Sequence, residues 1–153
     1  MPLVVMVGPP CSGKTFNALK IKSYLEKEKG KEVFLINEEY LSSIKEEAYK
    51  DSTSEKMHRA KLKSEAEKFL DDKCVVILDS LNYIKGYRYE LYCIVRNLKT
   101  RHCLVYCQTD LDTCLKLNIN QNNELNSGCP YSEELLRDLF SRMEIPNSNS
   151  KVI

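Results

Sequence analysis

Net charge is almost absent from this chain. Its 23 lysines and arginines are balanced by 22 aspartates and glutamates, leaving +1. No global field therefore draws it toward nucleic acid or an anionic membrane, so any such contact must rest on a local patch or on protein outside these residues. Long apolar runs are absent too: none approaches the roughly 20 residues a membrane helix needs. The apolar opening from Met1 to Gly8 is short and lacks a basic leader, so it reads as a buried strand rather than a signal peptide. Seven cysteines are present, at 11, 74, 93, 103, 107, 114 and 129, yet the count is odd and no CxxC pair occurs. That argues against a disulfide framework and for a reduced cytosolic or nuclear setting. Cys74, Cys93, Cys103 and Cys107 lie in apolar segments, where a thiol acts as a small hydrophobe. His102 and Cys103 make a poor zinc pair, because neighbours on a strand point to opposite faces.

What is present fits one domain with one core: 153 residues, 42% hydrophobic and 29% charged. Leu3 to Val7 is an apolar run followed by a glycine-rich turn, as in a buried parallel strand. Residues 15–29 carry Phe16, Ala18, Leu19, Ile21 and Leu25 at roughly helical spacing, with Gly30 as the stop. Residues 32–36 read as a second strand and residues 40–49 as a short helix. Residues 54–70 read as a solvated amphipathic helix with Met57, Leu62, Ala66, Phe69 and Leu70 as its apolar side. A third strand follows at 74–78, a helix at 87–98 and a fourth strand at 102–107. Alternating strands and helices predict an α/β fold with a parallel sheet. Residues 108–130 are rich in asparagine and read as a polar, lid-like or disordered insertion. Residues 131–143 read as a helix capped by Ser132, with Glu133 and Glu134 in its first turn. The domain is expected to run over 1–146, with 147–153 a tail, and no internal repeat is visible.

Gly8-Pro9-Pro10-Cys11-Ser12-Gly13-Lys14-Thr15 matches GxxxxGK[ST] in full. Successive backbone N–H groups opening a helix form a concave anion site. Gly8 and Gly13 let the backbone turn tightly and approach phosphates. Lys14 supplies a point charge for the β- and γ-phosphates of ATP, and the Thr15 hydroxyl is a hard ligand for Mg2+. A strand directly before and an amphipathic helix directly after give this motif the context it requires, and the fold it predicts is that of a P-loop NTPase.

Asp79 ends the third strand, near the crevice where open α/β sheets bind ligands. In a P-loop protein such a carboxylate holds the magnesium shell; otherwise it caps the next turn. The second strand ends at Asn37-Glu38-Glu39, where Glu38 is the preferred candidate for a base or a water-orienting group. A solvated acidic turn is the alternative. Arg59, Arg88 and Arg96 are candidates for stabilising charge on a transferred phosphoryl group, although solvated helix arginines are the default. Lys85, beside Gly86, is a candidate contact for phosphate or RNA.

The stretch from Asp79 to Cys93, DSLNYIKGYRYELYC, resembles the signature of the killer-toxin-insensitivity family of Elongator-associated ATPases. So do the opening Met-Pro-Leu-Val-Val, the Pro-Cys-Ser-Gly-Lys-Thr of the P-loop and Pro146-Asn147-Ser148-Asn149. These segments span nearly the whole chain in the family's order. The family is related to phosphoseryl-tRNA kinase. The resemblance implies a tRNA-binding ATPase that associates with Elongator, the complex that modifies wobble uridines in tRNA. It carries over onto Gly8 to Thr15, Asp79 and Arg59. Relatives usually have an aspartate where this chain has Asn37-Glu38. After Pro-Asn-Ser-Asn the family continues with an Arg-Trp-Asp run and an apolar strand, and later with a helical tRNA-binding domain. This chain instead reads Ser150-Lys151-Val152-Ile153. It therefore resembles the family's N-terminal domain in truncated form, short of a fifth strand, with an open sheet edge that favours aggregation or partner pairing.

The function expected on this basis is magnesium-dependent ATP hydrolysis by an Elongator-associated, cytoplasmic or nuclear protein whose tRNA affinity resides mainly elsewhere. Lys14 would hold phosphates, Thr15 and Asp79 would organise magnesium, and Glu38 and Arg59 would assist catalysis. Two alternatives stand beside it. One is a kinase acting on an aminoacyl-tRNA or small metabolite, and the other a non-catalytic Elongator-binding module.

Overall fold

The computed structural model of the chain describes residues 2–41, 45–70, 74–124 and 131–147. Strands β1 (Leu3–Val7), β2 (Glu32–Asn37), β3 (Cys74–Asp79) and β4 (His102–Tyr106) form one parallel sheet in the order β2-β3-β1-β4. Helices α1 (Lys14–Lys29), α2 (Lys45–Ala48), α3 (Ser52–Phe69), α4 (Lys85–Asn97), α5 (Leu111–Glu124) and α6 (Glu133–Ser141) surround it. This is the α/β architecture that the alternation of strands and helices predicts.

Both faces of the sheet are covered, which is why β1 and β3 are apolar almost throughout. Leu3, Val5, Val7, Val76 and Leu78 face α3 and α4, meeting Leu62, Ala66, Leu91 and Val95. Val4, Met6, Val75 and Ile77 face α1, meeting Ala18, with Ile21 and Leu25 packed at the margin. A third cluster sits at the carboxyl ends of the strands, where Leu81 and Tyr83 meet Cys114 of α5, Tyr131, and Leu136 and Leu139 of α6. β2 and β4 are the edge strands among the described residues, and Cys103 of β4 is exposed rather than packed as a core thiol; Cys74 and Cys107 are buried. Cys129 lies outside the described residues, as does the tail beyond Asn147.

Several expectations need correction. Of the short helix expected over 40–49, Lys45–Ala48 is helical; residues 38–41 instead form a turn in which the Tyr40 amide donates to Asn37 Oδ1 at 2.8 Å, and 42–44 lie outside the described residues. In α1, Phe16 and Leu19 are 62% and 51% exposed, so the core side of that helix is narrower than its apolar content suggests. In α3, Met57 faces solvent while Glu55 and His58 are buried, because each finds a partner across the fold. The largest change is in 108–130, where Leu111–Glu124 is a helix. Asp110 caps it, accepting from the Thr113 amide at 2.9 Å and the Thr113 hydroxyl at 2.7 Å. Cys114 and Asn118, four residues apart, form its buried side. Residues 125–130 of the same segment lie outside the described residues.

The loop from β3 to α4 fastens these layers. The Asn82 amide, on a residue with left-handed backbone (φ 48°), donates to the carbonyls of Met6 at 2.7 Å, Leu78 at 3.2 Å and Ser80 at 3.3 Å. Arg88 is fully buried and donates to the carbonyls of Asn82 (3.0 Å), Tyr83 (2.8 Å) and Glu144 (2.9 Å). It is therefore a structural tie rather than a charge stabiliser for a phosphoryl group. Arg88→Met would keep the apolar stem but strand three carbonyl acceptors. At roughly 1–3 kcal/mol for each buried group left unsatisfied, it is expected to lower the unfolding free energy by about 3 kcal/mol or more in urea titrations. A loss below about 1 kcal/mol would contradict this role.

Candidate functional site

The site grows from the end of β1. Gly8 leaves the strand where the chain passes close to Cys107: a Cβ at Gly8 would lie 2.7 Å from the Cys107 carbonyl oxygen and 2.7 Å from Ser12 Oγ. The Gly8 amide donates to the Leu81 carbonyl at 3.3 Å, tying the loop's start to the segment after β3. Pro9, Pro10 and Ser12 are buried, Cys11 is half-buried with φ 57°, and Gly13 takes the left-handed conformation (φ 78°) that suits glycine. Gly13 caps α1 with no side-chain bond, and the first turn holds no acidic residue. The helix N-terminus is thus left to an external anion, as phosphate binding requires.

Lys14 is buried. Its ammonium donates to the Pro9 carbonyl at 2.5 Å and lies 3.4 Å from Ser12 Oγ. Burial lowers its pKa, and the charges of Asp79 and Glu38 work in the opposite direction. Asp79 is 2% exposed and stands opposite Met6 in the β1–β3 register, beside the loop. Thr15 is exposed at the start of α1. The hydroxyl of Thr15 and the carboxylate of Asp79 are hard oxygen donors of the kind magnesium prefers. Among the described residues no three of His, Cys, Asp or Glu form a metal cage, so such an ion would be held jointly with phosphate oxygens.

Glu38 sits just past the end of β2, 7% exposed, and is not a solvated acidic turn. Its Oε1 accepts from the Ser80 hydroxyl at 2.7 Å and from the Tyr49 hydroxyl at 3.1 Å, with His58 Nε2 3.7 Å away. Burial pushes the carboxyl up, but His58 and Ser80 outweigh it and hold the group down at about 2. Glu38 is therefore an ionised acceptor suited to orienting a hydroxyl or water, and a weak proton acceptor.

Arg59 is placed differently. It pairs with buried Glu55 at 2.5 Å, in a cluster where Arg142 also meets Glu55 at 3.0 Å and the Tyr83 hydroxyl donates to the same carboxylate. To touch a nucleotide it would have to leave that pair. Arg96 and Lys85 are exposed, and the Lys85 amide donates to the Glu144 carboxylate. Sequence reasoning missed Tyr49, His58, Ser80 and Tyr131 around Glu38. The polar spacing of Glu55 and His58 with Leu62 on α3, at i, i+3 and i+7, was the available signal.

A family described as chromatin associated protein KTI12 matches residues 1–152. The Protein KTI12 homolog of Danio rerio is 40% identical over 151 residues, covering 99% of this chain and 54% of its own length. The Homo sapiens homolog is 46% identical over 108 residues, 70% of this chain and 30% of its own. The chain spans about half the length of such curated relatives. Among solved structures, Chaetomium thermophilum Kti12 in complex with ADP-AlF3 is similar at a TM-score of 0.89 and 32% identity, covering 99% of this chain and 85% of that one. The Mycobacterium tuberculosis APS kinase CysC, at 15% identity and a TM-score of 0.64 over 92% of this chain and 96% of that one, shares the fold. Among the described residues no helix is long and apolar enough to cross a membrane.

Two outcomes are expected. Lys14→Ala should weaken magnesium-ATP binding by roughly 30-fold or more in calorimetric titration, the scale of losing one partner from a buried charged contact. Affinity within about threefold of wild type would contradict the assignment. The second concerns acid stability. The folded Glu38 carboxyl titrates below its ordinary value of about 4.5, so its stabilising contribution is complete above that pH and is lost as pH falls toward about 2. Glu38→Gln should flatten that part of the stability–pH curve, and an unchanged curve would contradict the reading.

Proposed function

The chain belongs to the KTI12 family, and from that premise we propose that it is the ATP-binding and ATP-hydrolysing part of an Elongator-associated regulator of tRNA wobble-uridine modification. The observation that carries the nucleotide part is the uncapped N-terminus of α1 beneath a glycine-flanked loop, with Lys14 buried on the Pro9 carbonyl and Asp79 at the end of the neighbouring strand. The complex of a 32% identical Kti12 with ADP-AlF3 supports an adenine nucleotide as the ligand. The family's description as chromatin associated supports a nuclear location.

In this reading the amides from Gly8 to Thr15 cradle the phosphates, and Lys14 exchanges the Pro9 carbonyl for the β- and γ-phosphate oxygens. Thr15 and Asp79 hold magnesium, which when bound neutralises charge developing on the phosphates. Glu38 orients the attacking group. Catalysis of this kind is mostly positioning and charge stabilisation. Arg59 enters only if its pair with Glu55 opens. With a net charge of +1, strong tRNA affinity is assigned to protein outside these residues. A kinase reading is favoured by the fold shared with APS kinase, and it differs in where the phosphoryl group goes.

The test is phosphate release from magnesium-ATP, with and without tRNA, beside Lys14→Ala and Asp79→Ala. Turnover that both substitutions abolish is expected. Turnover surviving both would contradict the proposal, and so would phosphate appearing on tRNA rather than in solution.

A further inference from the structure

Asp79 stands opposite Met6 just before the phosphate loop, and Asn37 stands opposite Asp79 with Glu38 on the Ser80 hydroxyl, so a terminal phosphate held on Lys14 faces the carboxyl ends of β3 and β2. That side of the site is where a phosphoryl acceptor must stand, and it is occupied by the chain's own side chains. Tyr49, His58, Ser80 and Tyr131 are each 7% exposed or less. The Tyr49 ring meets His58 edge-on at 5.6 Å and lies 6.3 Å from the Tyr131 ring. Tyr131 shares an apolar cluster with Tyr49, and Cys11 of the phosphate loop packs against that cluster. Tyr131 is fixed there by Asn118 of α5, whose Oδ1 accepts from the Tyr131 amide at 3.1 Å and whose Nδ2 donates to the Tyr131 carbonyl at 2.7 Å. Asn118 is itself buried, 3.5 Å from Cys11 Sγ. Among the described residues, the contacts of Glu38 with Tyr49, Ser80 and His58 fall on Oε1, so a reactant would meet this carboxylate at Oε2.

We propose that Tyr49 and Tyr131 are specificity-determining residues that exclude organic phosphoryl acceptors and admit water to Glu38, with Ser80 and Tyr49 positioning that carboxylate. The inference rests on the hydrolysis reading above. In the step itself, the water oxygen forms the new bond to the γ-phosphorus and the bond from that phosphorus to the bridging oxygen of ADP breaks. The electron pair leaves on the ADP β-phosphate, and the proton of the water leaves with inorganic phosphate. Glu38 accepts a hydrogen bond from the water and stays ionised. No oxidant, reductant or further reactant is needed.

The experiment supplies γ-labelled ATP and magnesium to the whole chain in buffer containing glycerol, and separates inorganic phosphate from glycerol phosphate. Wild type should yield inorganic phosphate alone. Tyr131→Gly, which vacates the ring's place, should raise the glycerol phosphate share by about tenfold or more, the scale on which a pocket rejects a misfitting group. Tyr49→Phe and Ser80→Ala keep the packing and guard against a Tyr131 variant that fails to fold. In both, a weaker hold on ionised Glu38 should move the acid limb of the kcat–pH profile upward by about one unit at unchanged KM for ATP. A purely structural role would leave that limb in place. Transfer to glycerol by wild type in proportion to its molarity overturns the inference alone, as does an unmoved acid limb. Absence of turnover in wild type overturns the hydrolysis reading itself, and the inference with it.

Discussion

The register of β1 against β3, with Met6 opposite Asp79, sets the rest of the site. Side chains alternate along a strand, so a slip of one residue would send Asp79 to the α3–α4 face and leave an apolar residue beside the phosphate loop. The slip is prevented by burial on both faces. Leu3, Val5 and Val7 pack against one helical layer and Val4 and Met6 against the other, with every one of them 6% exposed or less. The β2–β3 register extends the same logic, setting Asn37 opposite Asp79 and thereby bringing Glu38 to the Ser80 hydroxyl. Three strand ends meet at one edge, and the loop after β1 closes over them.

The segment most useful for recognising the family does little of the chemistry directly. After Asp79 and Ser80, the signature's buried polar residues Asn82, Tyr83, Tyr87 and Arg88 bind backbone or buried charge. Asn82 holds the Met6 carbonyl, Tyr87 donates to the Arg59 carbonyl at 3.0 Å, and Arg88 spans to Glu144. Tyr83 joins Arg59 and Arg142 around Glu55, linking α3 to the end of α6. A buried carboxylate needs such partners, since leaving its charge uncompensated would cost several kcal/mol. The pattern is distinctive because many donors must meet many acceptors at once, and few substitutions satisfy all of them.

How much of this was legible in the sequence follows from where each signal resides. The sheet and the phosphate loop were readable because their causes are local: apolar runs, two glycines and a lysine at fixed spacing. The place of Asp79 at the end of β3 was readable for the same reason. The helix at 111–124 was hidden by its asparagines, which favour turns in isolation. Its capping Asp110 and its Leu111, Cys114, Leu115 and Asn118 spacing were the overlooked signs. The setting of Glu38 was not legible, because Tyr49, His58, Ser80 and Tyr131 come from four separate parts of the chain. Arg59 and Arg88 illustrate the converse: a cation that the sequence alone offers to a phosphate is spent on Glu55 in one case and on three carbonyls in the other.

The central claim is that one edge of the sheet holds a magnesium nucleotide between the phosphate loop and Asp79, with Glu38 beyond the terminal phosphate. A crystal structure of the chain with a non-hydrolysable ATP analogue and magnesium tests it most directly. The account predicts the triphosphate on the amides of residues 8–15, Lys14 moved from the Pro9 carbonyl to the phosphates, and the metal shell meeting Thr15 and Asp79. A triphosphate bound away from this loop, or a metal held by neither residue, would contradict it.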